Sequence, residues 1–355
     1  MKRILTYRTE IMGLAILWIM LFHSALSIPD EIQLLRMIKA VGYAGVDVFF
    51  LLSGLVLSLG ARRGIELSRF YPRRLLRIYP IFFLYAVVLC LLSLIDHTFK
   101  VEVGIFRFLG LDFLVSGSLT AWFVPAILIC YLFFPFYHRL SVRLGFWMVF
   151  VTTSLLTIAA CCLMIDTRFD HLLIFAIRVP VFLFGVVIGH GFHDSDVTDR
   201  WWSPRSLLNS LSFNLVLLAA SSVALLFLLR NHDSSYLWRT GLWWYPTIVM
   251  AYPLTFVVSL LLHKVQGVAP ALLSGLRFFG DRSFELYLVH TAVFKLGDKY
   301  LFHTFHIREN VFRIPEHLLY VAVSLVISII LGDAIDAAKN RLLGQRYPWL
   351  TEARR

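Results

Sequence analysis

The sequence predicts an all-α polytopic membrane protein of about ten transmembrane helices with both termini cytoplasmic, and three observations carry that expectation. Of 355 residues, 59% are hydrophobic and only 15% charged, with a mean hydropathy of +0.76. Apolar side chains therefore far outnumber what one water-soluble core hides. Windows of the roughly 20 mostly apolar residues that a bilayer crossing requires recur from Ile11 to about Ile335. The formal net charge of +11 lies in short hinges between those windows, not on an aromatic-interleaved soluble surface. It reads as a topology signal and speaks against a nucleic-acid partner.

In chain order the candidate spans fall near residues 11–28, 42–60, 78–95, 122–137, 146–165, 172–190, 211–229, 244–262, 283–301 and 317–335. A secretory signal would need a cleavable small-residue site after a short apolar core, whereas the first apolar run continues past Phe22 to Ile28 and contains His23, so it reads as a retained helix. With the N-terminus inside, more than twice as many Lys and Arg fall on inner segments as on outer ones, as the positive-inside rule favours. Residues 98–121 are the weakest element, because Gly104, Gly110 and Gly117 interrupt any long helix. They are expected outside, dipping back into the protein. The whole chain, 1–355, reads as a single transmembrane domain with no appended soluble domain. Cys90, Cys130, Cys161 and Cys162 sit in apolar stretches without disulfide or metal-ligand spacing, so they read as small core residues and no metal is expected.

An ionisable residue inside a span costs about 2.5 to 3.5 kcal/mol on insertion scales and is a functional candidate by default. His23 lies about 12 residues beyond Ile11, which at about 1.5 Å per residue places it about 18 Å from the inner end of the first span. Asp47 enters the second span about five residues from the same outer surface, so the two share a depth. A carboxylate that accepts one imidazole N–H fixes the tautomer and makes the other nitrogen a base for a hydroxyl nucleophile. The alternative is a polar core with a tidied helix start. Arg74 and Arg77, three residues apart in the run Arg73 to Pro80, share a helical face. Two guanidinium forks there suit a phosphate, while a basic run beside a span also serves as a topology or lipid-headgroup contact. Arg178, and Lys295 with Glu285 and His290, are further charged or titratable groups within spans; a pairing network and a substrate pocket both account for them.

Taken together these segments resemble the membrane acyltransferase family 3, bacterial multi-pass O-acyltransferases that modify envelope and exported sugars. The resemblance spans nearly the whole chain. It rests on Leu21-Phe22-His23, on Gly42 to Gly54 with Asp47 inside it, and on the arginine run Arg73 to Pro80. Trp122-Phe123-Val124-Pro125, Arg178-Val179-Pro180-Val181-Phe182 and the Ser283 to His290 stretch support it. One position departs: the family pattern has an arginine eleven residues before the histidine, where this chain has Met12. Arg8, one turn earlier on the same face, is the nearby substitute.

The resemblance implies a cytoplasmic acyl-CoA donor, acetyl-CoA first among them, with no permanently bound cofactor, and a carbohydrate or lipid-linked glycan acceptor in a bacterial inner membrane. Arg74 and Arg77, with Arg8, would hold the CoA phosphates, and His23, oriented by Asp47, would act as general base. Trp122, Arg178, Glu285, His290 and Lys295 would face substrate, and membrane lipids would surround the bundle. No G-x-S-x-G nucleophile motif is present, which favours direct transfer over an acyl-serine. The rival from another class is a secondary transporter or exporter of an anionic or lipid-linked sugar that uses Arg178, Lys295 and Glu285. The two halves show no self-similarity of the kind transporters carry.

Overall fold

The computed structural model describes residues 2–343 apart from 25, 27, 30, 63, 192–203 and 297–313. Among these residues the regular structure is helical, with no strand. A short α1 (Lys2–Thr6) leads through Tyr7, whose N–H bonds to the Arg3 carbonyl, into α2 (Arg8–His23). The amphipathic α3 (Gln33–Ala40) exposes Leu34, Met37 and Ile38, the spacing of one apolar face. A 3-10 turn at Gly42–Ala44 then feeds α4 (Gly45–Ala61).

The 29-residue α5 (Leu67–Ile95) contains Pro72 in its second turn and Pro80 in its interior; an interior proline removes one backbone bond. The segment expected to be broken is broken: α6 (Val101–Leu109) ends at Gly110, φ 71°, and α7 (Asp112–Ser116) ends at Gly117, φ 72°. Both glycines take the left-handed conformation that suits a residue without Cβ. Gly104, expected to interrupt as well, stays inside α6.

The chain continues through α8 (Phe123–Leu144), α9 (Phe146–Met164), α10 (Leu173–Ala176), α11 (Val179–Gly191) and α12 (Pro204–Asn209). Then come α13 (Leu211–Asn231), α14 (Ser234–Thr240) and α15 (Trp244–Val265), followed by α16 (Pro270–Asp281), α17 (Ser283–Leu296) and α18 (Ile314–Leu343). Caps set two of the starts: the Ser210 hydroxyl accepts from the Phe213 N–H, and the Asp233 carboxylate accepts from the Ser235 and Tyr236 N–H groups. Those bonds and the neighbouring Ser235 hydroxyl hold the Asp233 carboxyl below its usual range.

Eight described helices are long and apolar enough to cross a bilayer: Gly42–Ala61, Leu67–Ile95, Phe123–Leu144, Phe146–Met164, Asp170–Gly191, Leu211–Asn231, Trp244–Val265 and His317–Ala338. Each overlies one of the expected windows, and the chain is a polytopic all-helical membrane protein. The other two windows hold shorter helices, α2 with 16 residues and α17 with 14. Sixteen residues reach about 24 Å against a hydrocarbon core of about 30 Å. Residues 297–301 of the ninth window lie outside the described residues.

The described chain gathers into two compact units. The first comprises Met1–Met12, Ala44–Ile65 and Ile129–Arg277. Its tightest contact is between α4 and α11, where a Cβ built on Gly54 would stand 2.0 Å from the Phe182 carbonyl oxygen. One built on Gly185 would stand 2.1 Å from the Leu51 oxygen, so the two backbones touch as small residues in membrane helices allow. Residue numbers rise together along both helices, from Asp47 beside Arg178 to Leu55 beside Gly189. The helices are therefore parallel, as two even-numbered spans should be. By contrast α9 and α13 turn Val151, Leu155, Leu156, Val216, Val223 and Phe227 outward, a surface that suits lipid. Cys90 in the second unit and Cys130 and Cys161 in this one are buried, but Cys162 is exposed on α9, so the core reading of the cysteines is corrected at that position. Neighbouring helical residues point about 100° apart, and Cys162 follows Cys161 onto the outer face.

The second unit comprises Gly13–Tyr43, Glu66–Leu128 and Phe278–Arg355. Here α17 packs on α18 and on α5, and α5 packs on α6. Gly42 lies hard against α2, since a Cβ there would meet the Trp18 carbonyl oxygen at 2.5 Å.

Candidate active site

In the second unit the part of α2 from Gly13 onward is apolar and carries one titratable group at its end, His23. Ser24 closes the helix by donating its hydroxyl to the Leu21 carbonyl, 2.7 Å away. Beyond it Lys39 Nζ donates to the Leu26 carbonyl at 2.6 Å, tying α3 to the chain that leaves α2; partial burial pushes its ammonium below the usual lysine range. The His23 ring is exposed and meets Phe22 edge-on. Its Nδ1 stands 3.0 Å from the Ile19 carbonyl oxygen and 3.2 Å from His290 Nε2. His290, 0% exposed, donates from Nδ1 to the Leu286 carbonyl at 2.7 Å. Tyr287 and Phe294 pack around its ring.

The residue after His290, Thr291, shares a 3.0 Å hydrogen bond with the Tyr85 hydroxyl. Tyr85 also lines a narrow cleft of about 20 Å³ with Phe82, Arg107, Asp112, Phe113 and Thr120. An Arg107–Asp112 ion pair of 3.3 Å crosses that wall, and Ser116 donates to the other Asp112 oxygen at 2.6 Å. Trp122, buried against Phe113 and Phe123, stands between the lining residues Ala121 and Pro125. Glu285 is buried with its side chain facing Gly332 of α18. Lys295 lies near the end of α17, and its side chain lies outside the described residues. Arg74 and Arg77 sit on α5; Arg74 is half-buried with its guanidinium 5.7 Å from the Phe70 ring centre, and Arg77 is exposed.

In the first unit Asp47 and Arg178 form an ion pair, Arg178 Nε to Asp47 Oδ1 2.7 Å, with side chains 0% and 1% exposed. Arg178 also donates to the Ile174 carbonyl at 2.5 Å and lies 5.4 Å from the centre of the Trp244 ring. Of the two accounts open for Arg178, the pairing network is therefore the one seen. The sequence set Asp47 beside His23 by depth; within the first unit Asp47 has Arg178 against it, and within the second His23 has His290. Arg8 is half-buried on α2, and two residues on, the buried Glu10 accepts from Arg277 at 2.5 Å.

The second unit thus holds a histidine pair, and the first a closed ion pair. A model of the acyltransferase domain matches residues 13–333. The chain belongs to acyltransferase family 3. No curated protein and no solved structure matches it. The protein is a multi-pass membrane acyltransferase, and the matched stretch contains both pairs, the cleft and the arginines of α5.

Several polar groups of the acyltransferase escaped sequence reasoning. Glu10 with Arg277, Tyr85 with Thr291, and Arg107 with Asp112 are polar pairs within or beside apolar helices. Tyr85 and Thr291 carried no charge to stand out against a hydrophobic window. Arg107 and Asp112 were read as a loop, although their five-residue separation across Gly110 is a signal for a hairpin between two short helices.

Proposed function

We propose that this acyltransferase moves an acyl group, acetyl first among them, from a cytoplasmic acyl-CoA to a hydroxyl of an envelope or exported carbohydrate, in a bacterial cytoplasmic membrane with both chain ends inside. The observation that carries the reading is the common placement of His23, Arg74 and Arg77 in one compact unit of a family 3 acyltransferase. Arg74 and Arg77, three apart on one face of α5, hold the CoA phosphates. The thin pantetheine arm then runs along α5, whose Tyr85 lies about 12 Å beyond Arg77 at about 1.5 Å per residue. Aromatic faces and a charged pair in the cleft beside Tyr85 suit a neutral sugar, which stacks on rings and bonds through its hydroxyls.

His23 acts as general base. The acceptor oxygen attacks the thioester carbon, the new C–O bond forms as the C–S bond breaks, and the hydroxyl proton passes to His23 Nε2 and on to the departing CoA thiolate. The decisive measurement is release of free CoA by the purified protein in detergent, given acetyl-CoA and a mixture of glycans. His23→Ala should lower the rate by at least about 10²-fold with near-normal yield, since a general base contributes that much. A variant keeping more than about a tenth of the rate rejects the role. Mass spectrometry of envelope glycans from a strain lacking the protein identifies the acceptor as the glycan that loses an acyl mass.

A further inference from the structure

We propose that His290 is a positioning residue for His23: it accepts a hydrogen bond from His23 Nδ1–H and thereby presents Nε2 as the basic nitrogen. The proposal rests on the reading of His23 as general base. It begins with a carbonyl. The Leu286 oxygen has lone pairs and no proton, so its 2.7 Å contact requires the N–H of His290 to be on Nδ1. A neutral imidazole carries one N–H, and a fully enclosed ring with no carboxylate bonded to it among the described residues stays neutral. His290 Nε2 is therefore a lone pair, and it faces His23 Nδ1 at 3.2 Å.

Two lone pairs at that distance repel, so His23 Nδ1 is the protonated nitrogen. The Ile19 carbonyl, 3.0 Å from the same atom, reaches the same answer independently. One N–H shared between a carbonyl of its own helix and a nitrogen of α17 fixes both the tautomer and the plane of the His23 ring. When His23 takes up the acceptor's proton, its Nδ1–H becomes a charged and stronger donor, and the bond to His290 strengthens as the transition state is approached. That is the service expected of Asp47, whose carboxylate is engaged by Arg178. The signature is an effect on turnover rather than on donor binding.

The direct test reads protons rather than activity. In the full chain with ¹⁵N-labelled histidine in detergent micelles, the His23 signals are those lost in His23→Gln. They should show a pyrrole-type Nδ1 and a pyridine-type Nε2; a pyrrole-type Nε2 overturns the proposal. In turnover, His290→Phe keeps the ring volume and removes the acceptor, and should lower kcat about tenfold or more while leaving KM for acetyl-CoA within about twofold. His290→Gln returns an acceptor oxygen near the former Nε2 and should recover most of that loss. Phe and Gln variants of equal activity overturn the proposal, and if the Phe variant does not fold, the wild-type spectrum decides. Should His23→Ala stay active while the tautomer is as stated, the base assignment falls and the hydrogen-bond assignment stands.

Discussion

Two pairs of titratable side chains divide the labour of this molecule. Asp47 and Arg178 are shut away, 0% and 1% exposed, and each spends its charge on the other. His23 and His290 also touch, but one ring is enclosed and the other is exposed at a helix end. A closed ion pair resists change because removing one member strands a charge in a medium that cannot solvate it. A pair with one open ring carries no such liability, since the exposed ring can reach outward. Burial of both partners is what a brace requires, while an open ring is what the proposed base requires.

Several substitutions break or sharpen that contrast. Losing the proposed base at His23 affects rate, by at least about 10²-fold, as set out above. Losing the brace affects the fold: Arg178→Leu should destabilise by about 3 to 5 kcal/mol, read as a lower thermal midpoint in detergent and a poorer membrane yield. Combining it with Asp47→Asn should recover a good part, because the stranded charge is gone. If Asp47→Asn alone left stability intact but abolished turnover, Asp47 would serve turnover rather than the fold.

The arginines proposed to hold the donor come next. Arg74→Ala and Arg77→Ala should each weaken acetyl-CoA binding by about tenfold, the worth of a charge-assisted bond. The loss should shrink as salt rises, and lysine should rescue only in part. Unchanged affinity in the double variant returns the run to a topology signal. The smallest effect is expected at Arg8: Arg8→Ala should cost a few-fold in activity, and Met12→Arg in the same chain should restore it, since a guanidinium on a long stem reaches a similar point from one turn away. Full activity of Arg8→Ala alone leaves the phosphates to Arg74 and Arg77.

The spans were legible because about 20 apolar residues in a row admit few other readings. The glycine breaks after α6 and α7 were legible too, since Gly110 and Gly117 sit where left-handed backbone is needed. The partners were not. Depth along a helix gives one coordinate of a side chain and says nothing about which neighbour it faces, so neither His290 beside His23 nor Arg178 beside Asp47 could be read from it. Glu10 was passed over because it stands at the mouth of an apolar window, where a carboxylate looks solvated; its partner Arg277 lies 267 residues away in the chain.

The α4–α11 contact carries a consequence for how the protein is made. Arg178 follows Asp47 by 131 residues in the chain, so at about 5 to 20 residues per second of synthesis the acid precedes its counter-charge by on the order of ten seconds. During that interval α4 holds a carboxylate that lipid does not tolerate cheaply, and glycine faces with no backbone yet to meet. Released early, it would be a poor membrane resident. Until α11 emerges, α4 therefore calls for shelter from lipid, and its pairing follows its synthesis by that interval.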